Sequence, residues 1–182
     1  ELLEASGGGA FCPGLEFCGD VVEVGEDVRD VSVGDRVLGF SRFGAYRTTV
    51  VSPTRLLRRL PESWSYEEGA ALLVAGLTAW HGLVELGAAR EGSRVLVHSA
   101  AGGCGCAALS ICESLGCSAD AVVGSEHKAA FLRSRFPGGW QPRILVRTTP
   151  REYASQIGAM DTQYDVVLDS LGGSYFSAAL DR

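Results

Sequence analysis

The segment most capable of chemistry is the glycine-rich stretch from His98 to Gly105, which has the sequence HSAAGGCG. It follows the apolar run 94–98 and precedes a run with helical character, so it predicts a turn from strand to helix. The diphosphate of a dinucleotide needs free backbone amides at a helix N-terminus and no side chain in its way. Gly102 would let the backbone approach the diphosphate, and Gly105 would let the helix pack on the strand. Ala100 replaces the first glycine of the usual fingerprint, and an ordinary glycine-rich turn is the alternative.

A second candidate site lies about 20 residues further on, where a dinucleotide fold contacts the 2′ position of the ribose. An NAD site has an acidic residue there, whereas the sequence 122–125 is VVGS. Ser125 could donate a hydrogen bond to a 2′-phosphate, and Lys128, the only lysine of the chain, could supply a compact charge. Glu126 nearby would oppose a phosphate. In the alternative interpretation, Ser125 only caps the next helix and Lys128 is solvated.

Composition restricts the class of protein. The chain has 182 residues, 46% of them hydrophobic and 21% charged, which can bury a sizeable core and excludes disorder as a description of the whole. The 24 glycines have no Gly-X-Y period and therefore indicate turns. Six irregularly spaced cysteines favour a reducing compartment, which we take to be the cytoplasm. A net charge of −6 with scattered basic residues argues against a nucleic-acid or anionic-membrane surface.

Neither the start of the chain nor its apolar runs predict a membrane protein. The chain opens at Glu1 without a basic segment followed by an apolar one, so we expect no signal peptide, and the start could be the boundary of a fragment. Two charge-free runs, 69–84 and 95–112, were the candidates for a span. The first is too short, and the second carries His98, serines and glycines, whereas a span needs about 20 mainly apolar residues. We therefore expect a soluble protein.

The first sixty residues have the pattern of β structure. Short β-branched runs at 21–24, 36–38 and 46–51 alternate with turn residues, which predicts part of a small barrel. The pattern changes at 61–65, where Ser65 followed by Glu68 has the spacing of a helix-capping box. An apolar helix is predicted over 70–86, ending at Gly87.

The remainder alternates strands with helices, which predicts a parallel sheet wound with right-handed crossovers. The predicted strands are 94–98, 119–123, 144–146 and 165–169, and the predicted helices are 104–115, 126–135 and 152–157. We therefore divide the chain into a β domain, residues 1–62, and an α/β domain, residues 63–182.

Six ordered motifs resemble the medium-chain dehydrogenase/reductase superfamily, most closely its zinc-free quinone oxidoreductase and enoyl reductase branch. They are PGLEF (13–17), VGDRV (33–37), GAY (44–46), LTAW (77–80), VLVHSAAGG (95–103) and DVVLDSLGG (165–173). The resemblance implies an α/β fold in which a partial GroES-like β-barrel is followed by an incomplete Rossmann doubly wound parallel sheet, with the cofactor between them. Family members run to about twice this length, so the chain is expected to be truncated at both ends.

The resemblance also implies that no zinc is bound. Zinc-dependent members have a histidine where this chain has Leu15 and a cysteine where it has Ala75, and neither residue present can ligate zinc. No cysteine pair has the spacing of a zinc site, so all six are interpreted as small apolar residues or incidental thiols. Cys104 or Cys106, near a predicted helix N-terminus, could be somewhat acidic and sensitive to oxidants.

Several further cofactor contacts follow from the same resemblance. Thr78 matches a threonine near the nicotinamide, Arg147 stands where relatives often have a phosphate-holding tyrosine, and Asp169 and Ser170 would lie near the adenosine half. With the glycine turn, the expected cofactor-binding residues are Thr78, Ala100, Ala101, Gly102, Gly103, Cys104, Gly105, Ser125, Lys128, Arg147, Asp169 and Ser170. No residue is assigned as the proton donor. His98 is expected to be a packed imidazole.

The implied activity is zinc-independent transfer of hydride from NADPH to a small-molecule quinone or activated alkene, by a parent protein that forms a homodimer. Two alternatives remain open. The chain could come from a non-catalytic nucleotide-binding or vesicle-associated relative, since the same branch includes both. It could also come from an enoyl reductase module of a polyketide or fatty-acid synthase, which would have neighbouring domains.

Overall fold

The computed structural model describes residues 11–180, which form two compact units that divide between Val74 and Ala75. The first unit contains a three-stranded antiparallel sheet in the order β1-β2-β3, with β1 at Glu16–Asp20, β2 at Arg36–Phe40 and β3 at Leu57–Arg59. The side chains of Val37 and Leu38 in the central strand are buried. Gly39 leaves room for two neighbouring side chains, because a Cβ would come within 2.5 Å of Phe17 Cζ and 2.7 Å of Leu57 Cδ2.

Two of the predicted strands in this unit are wrong. The run 21–24 is an irregular loop. Its backbone hydrogen bonds to 34–35 are limited to Val21, whose amide donates to Asp35 O and whose carbonyl accepts the amide of Gly34, and Val22 is 71% exposed. The run 46–51 is also irregular, and Val51 is 97% exposed. Both runs have β-branched composition, but within residues 11–180 neither lies beside a strand that completes a ladder, and composition alone does not make a sheet.

The helix that follows begins where the capping box predicts. The amide of Ser65 donates to Glu68 Oε2 at 2.8 Å, and the amide of Glu68 donates to Ser65 Oγ at 3.1 Å. Helix α1 spans Tyr66–Trp80 and continues as a π-helix over His81–Leu86. Gly87 closes it by donating its amide to Gly82 O.

The continuous helical stretch Tyr66–Leu86 is longer than the charge-free run predicted. With 21 residues the whole helix is long and apolar enough to cross a membrane by length and composition, so the shortness of the run 69–84 alone does not exclude a span. Core helices of soluble proteins meet the same criterion, and no membrane contact follows from it.

The second unit is the predicted Rossmann arrangement. Its parallel sheet has the order β6-β5-β4-β7, with β4 at Arg94–Val97, β5 at Ser118–Val123, β6 at Arg143–Val146 and β7 at Val166–Leu168. The helices are α2 at Gly103–Leu115, α3 at Glu126–Arg135, α4 at Pro150–Gly158 and α5 at Gly173–Leu180. The chain leaves β4 toward β5 and later returns to β7 on its other side. This reversal is the point at which ligands bind in open α/β sheets.

The sheet is covered by apolar side chains on both faces. One cluster contains Val95, Val97, Leu109 and Leu132 and continues under α2 and α3. The other contains Leu96, Val122, Tyr153 and Ile157 under α4 and α5. The sheet and its turns are therefore a rigid base for the residues at the carboxyl ends of its strands.

Candidate functional site

The glycine-rich segment forms a tight turn between β4 and α2. Ser99 has a φ of +49°, a strained conformation for a residue with a side chain, and its carbonyl accepts the amide of Gly102 at 2.8 Å. Ala100 is fully buried and donates its amide to Val122 O at 3.0 Å. The first glycine of the fingerprint is therefore unnecessary here, because the small Ala100 side chain packs inward.

Gly105 is the position at which the helix approaches the turn most closely. A Cβ there would lie 2.5 Å from both Ser99 O and Ala100 Cα, which no side chain can occupy without moving the backbone. Gly102 has less space for a side chain than most residues but more than Gly105, since a Cβ would lie 3.2 Å from Ser99 O. The packing role inferred for Gly105 thus has a direct geometric cause.

The start of helix α2 has free backbone donors. Gly102 is the N-cap residue and provides no side-chain cap. Within residues 11–180, the first-turn amides of Gly103, Cys104 and Gly105 have no hydrogen-bond acceptor. Three such amides at the positive end of a thirteen-residue helix suit an anionic group such as a diphosphate.

Helix α1 lies next to this turn. A Cβ on Gly103 would meet Ala75 Cβ at 3.5 Å, an ordinary contact. Thr78 lies three residues beyond Ala75, hence on the same face of α1, and is exposed. Ala75 and Thr78 thus share a face of α1, and the contact of Thr78 with a nicotinamide stays a prediction.

Cys104 and Cys106, the two cysteines at the start of α2, were the candidates for an acidic thiol. Cys104 is half-buried in the first turn of α2. Burial raises the pKa of the Cys106 thiol, which hydrogen-bonds Ala100 O at 3.6 Å. The expectation of an acidic thiol is therefore wrong for Cys106, because desolvation disfavours its thiolate.

Ser125 and Lys128 lie beyond the carboxyl end of β5. The amide of Lys128 donates to Ser125 Oγ at 3.3 Å, so Ser125 is the N-cap of α3 and keeps its own hydroxyl proton for another acceptor. Glu126, which would oppose a phosphate, is 3.8 Å from Arg133 on the same helix. Capping and phosphate binding are therefore compatible for Ser125.

Arg147 reaches the same edge from the end of β6. Its amide donates to Val123 O at 2.9 Å, and its guanidinium lies against Gly124, where a Cβ would be 3.4 Å from Nη2. No carboxylate of residues 11–180 lies within 4.0 Å of this guanidinium. An uncompensated cation beside the glycine that precedes Ser125 suits a second phosphate group.

A buried polar chain lies at the ends of β4 and β7. His98 Nδ1 is 2.5 Å from Asp169 Oδ1, and His98 Nε2 is 2.6 Å from the hydroxyl of Tyr153. Asp169 also accepts the amides of Leu171 and Gly172. The carboxylate thus holds the turn after β7 together, while Ser170 beside it is exposed.

The sequence anticipated His98 as a packed imidazole but not its partners. Tyr153 lies 55 residues away and Asp169 lies 71 residues away. The available signal was a histidine at the end of an otherwise apolar strand, since a buried imidazole requires hydrogen-bond partners.

These bonds control the ionisation of Asp169. Burial works to raise its pKa, but the hydrogen bonds from His98, Leu171 and Gly172 outweigh burial and hold it below the usual value. A lowered carboxylate pKa stabilises the fold above the unfolded-state value of about 3.9 and ceases to do so as pH falls through the folded-state value.

We therefore expect Asp169→Asn to lower the free energy of unfolding at pH 7, and the deficit relative to wild type to shrink below about pH 4. Urea titrations from pH 7 to pH 3 measure this difference. Asp161→Asn, at an exposed position, is the control. A deficit that stays constant down to pH 3 would show that the carboxylate charge contributes nothing.

Side chains that could ligate a metal are dispersed over the described part of the chain. Residues 11–180 contain no cluster of three or more histidine, cysteine, aspartate or glutamate side chains that could hold an ion. Leu15 and Ala75, which the sequence resemblance compares with zinc ligands, have no ligating side-chain atom.

Comparison with known proteins places this geometry in a class. The family described as the alcohol dehydrogenase GroES-like domain matches residues 4–62. The chain is 39% identical over 167 residues to polyketide synthase GfsB of Streptomyces halstedii, covering 92% of this chain and 3% of that protein. It is also 39% identical over 163 residues to the rat (Rattus norvegicus) synaptic vesicle membrane protein VAT-1 homolog, covering 89% of this chain and 39% of that protein.

Several solved structures of oxidoreductases have the same fold as this chain. The CurK enoyl reductase has a TM-score of 0.80 at 32% identity, with 94% of this chain and 50% of that chain covered. A quinone oxidoreductase of Pseudomonas syringae pv. tomato DC3000 has a TM-score of 0.77 at 30% identity, covering 94% and 52%. Mycobacterial Rv1454c complexed with NADPH has a TM-score of 0.79 at 31% identity, covering 93% and 53%. The chain thus spans about half the length of these structures and less of the two curated relatives.

A GroES-like sheet followed by a Rossmann sheet with a glycine turn after its first strand defines a dehydrogenase-type fold. The chain belongs to the medium-chain dehydrogenase/reductase superfamily, in the zinc-free branch that includes enoyl reductases and quinone oxidoreductases.

Proposed function

We propose that the protein containing this chain is an NADPH-dependent, zinc-independent oxidoreductase that reduces an activated alkene. The observation that carries the proposal is the turn 99–105, where three backbone amides at the start of α2 lack acceptors among the described residues. The uncompensated guanidinium of Arg147 supports a cofactor with a second phosphate. Localisation in the cytoplasm and assembly as a homodimer belong to the same proposal.

The residues of this chain would bind and orient the cofactor. The amides of Gly103, Cys104 and Gly105 would hold the diphosphate, while Ser125, Lys128 and Arg147 would hold the 2′-phosphate. Thr78 would lie toward the nicotinamide, and Ala100, Ala101, Gly102 and Ser170 would shape the backbone around the cofactor. When bound, NADPH supplies a hydride to the acceptor carbon or quinone oxygen. No described residue is assigned as the donor of the accompanying proton.

The decisive experiment titrates the full-length protein with NADPH and NADH by fluorescence and then follows NADPH oxidation at 340 nm. An enoyl thioester and a benzoquinone are the two acceptors. Similarity to an enoyl reductase structure and to a polyketide synthase favours the thioester. Faster turnover of the quinone would identify the quinone branch, and lack of NADPH binding would refute the proposal.

Cofactor preference gives a specific prediction. Arg147→Ala and Lys128→Ala should each weaken NADPH binding about tenfold while leaving NADH within twofold, because only NADPH carries the 2′-phosphate. Isothermal titration measures both affinities. Arg133→Ala is the matched control, since it removes an exposed positive charge from the same helix as Lys128. An equal loss for the two cofactors would contradict the phosphate assignment.

A non-catalytic nucleotide-binding or vesicle-associated protein is a second candidate, because the chain is 39% identical to a synaptic vesicle membrane protein, the VAT-1 homolog. That function predicts NADPH binding and a raised melting temperature without reduction of either acceptor. The titration and the turnover assay together separate the two candidates, and neighbouring synthase domains in the full-length protein would identify a synthase module.

A further inference from the structure

The guanidinium of Arg147 rests on the aromatic ring of Tyr175. Its Cζ lies 5.1 Å from the ring centroid, within the range of a cation–π contact. On its other side the guanidinium lies against Gly124. An arginine has several rotatable bonds and would otherwise sample many orientations, so two flanking surfaces restrict where its positive charge can lie.

Tyr175 is itself fixed by its surroundings. Its hydroxyl donates to Thr148 O at 2.8 Å, directly beyond Arg147 in sequence. Its ring packs against the ring of Tyr153, with centroids 5.3 Å apart. Tyr153 is fully buried and bonds to His98. The ring of Tyr175 is therefore a rigid surface held by the core of the second unit.

The ring of Tyr175 holds the positive charge of Arg147 close to the start of α3. Arg147 stands at the end of β6 and touches the glycine that precedes Ser125, the N-cap of α3. Within residues 11–180 it lacks a carboxylate partner, so its charge is available to an anion. A guanidinium held in advance loses less conformational entropy on binding a phosphate than one that is free to move.

We propose that Tyr175 is a positioning residue for cofactor selectivity: its ring holds Arg147 beside Gly124, so that the site prefers a phosphate over a hydroxyl at the 2′ position. The inference rests on the proposed function, because it concerns the same nucleotide site. Tyr175 does not need to touch the cofactor; it acts through Arg147.

The test compares Tyr175→Leu with Tyr175→Phe in the full-length protein, using adenosine 2′,5′-bisphosphate and AMP as probes in isothermal titration. We expect the leucine variant to bind the bisphosphate about fivefold more weakly, with AMP unchanged, because the cation–π contact is lost. The phenylalanine variant keeps the ring and loses only the bond to Thr148, so it should stay within twofold of wild type for both probes.

In an Arg147→Ala background, Tyr175→Leu should have no further effect on the bisphosphate, because the two residues act through one contact. If Tyr175→Leu does not fold, Arg147→Lys tests the contact from the other side, since lysine keeps the charge but loses planar stacking; a loss confined to the bisphosphate is expected.

An unchanged preference in the leucine variant, or an equal loss for both probes, would overturn the positioning role. An unchanged bisphosphate affinity in Arg147→Lys would do the same. Failure of the wild-type protein to bind either probe would instead refute the proposed function, so the two ideas fail through different measurements.

Discussion

Replacing Gly105 with alanine is expected to destabilise the protein by about 3 kcal/mol and to weaken NADPH binding more than about tenfold. The added Cβ would lie 2.5 Å from Ser99 O and from Ala100 Cα, which are backbone atoms that no change of rotamer can move. Helix α2 must therefore shift away from β4. The shift displaces the first-turn amides of α2, so stability and cofactor affinity should fall together. Urea denaturation and fluorescence titration measure the two effects.

Two glycines of the same unit are matched controls. A Cβ on Gly103 meets only Ala75 at 3.5 Å, and a Cβ on Gly138 meets nothing within 4 Å. Both alanine variants should therefore keep at least wild-type stability. Gly103→Ala should still weaken NADPH binding, because its methyl group lies beside a free amide, whereas Gly138→Ala should not. If Gly105→Ala were as stable as Gly138→Ala, the close approach of helix and turn would be wrong.

The α/β half of the fold could be predicted because its signals are local. Each strand is a short apolar run, and α2 ends at Leu115 before the capping residue Gly116, whose φ of +72° is the left-handed conformation that glycine accepts readily. The predicted and observed bounds of α3 coincide at 126 and 135. Helix α5 was not predicted, since it begins at Gly173 with a φ of +54° directly after a double glycine that resembles a loop.

The β half was predicted less well because strand formation depends on partners. Valine-rich runs that form no ladder were interpreted as strands. Strand β3 was missed, although Leu57 pairs with Gly39, because Arg58 and Arg59 give it a polar sequence. Side chains on an exposed face of a sheet carry no hydrophobic signal, and pairing cannot be recognised from one strand alone.

The same distinction applies to the candidate site. The glycine turn, Ser125 and Lys128 were found because a short sequence window contains each signal. Tyr153 and Tyr175 were not found, since a phenol in a helix resembles any core residue. What distinguishes them is contact with His98 and Arg147 from distant parts of the chain. The binding roles of these residues remain predictions that the variants test.

The second large effect is expected at His98. Changing His98 to leucine should lower the free energy of unfolding by about 3 kcal/mol, because it removes the hydrogen-bond partner of the fully buried Tyr153 hydroxyl and one partner of Asp169. Tyr153→Phe should cost about 1–2 kcal/mol, since it leaves only His98 Nε2 without a partner. Urea denaturation at pH 7 measures both changes.

A double-mutant cycle separates a connected network from two independent packing defects. If the chain from Asp169 to Tyr153 is one network, the double variant of His98→Leu and Tyr153→Phe should cost at least about 1 kcal/mol less than the sum of the single variants. Additive costs would contradict the network. His127→Leu, at an exposed histidine of α3, should change stability by less than about 0.5 kcal/mol.

Amide hydrogen exchange can show whether this network stabilises the turn after β7 in particular. The amides of Leu171 and Gly172 donate to Asp169, whose carboxylate is held by His98. Loss of His98 should therefore accelerate exchange at these two amides more than at the amides of α3, whose buried residues Ala129 and Leu132 belong to the apolar cluster that does not contain Tyr153. Uniform acceleration across both regions would mean that His98 contributes to general stability and does not order the turn after β7, where the sheet reverses direction beside the glycine turn.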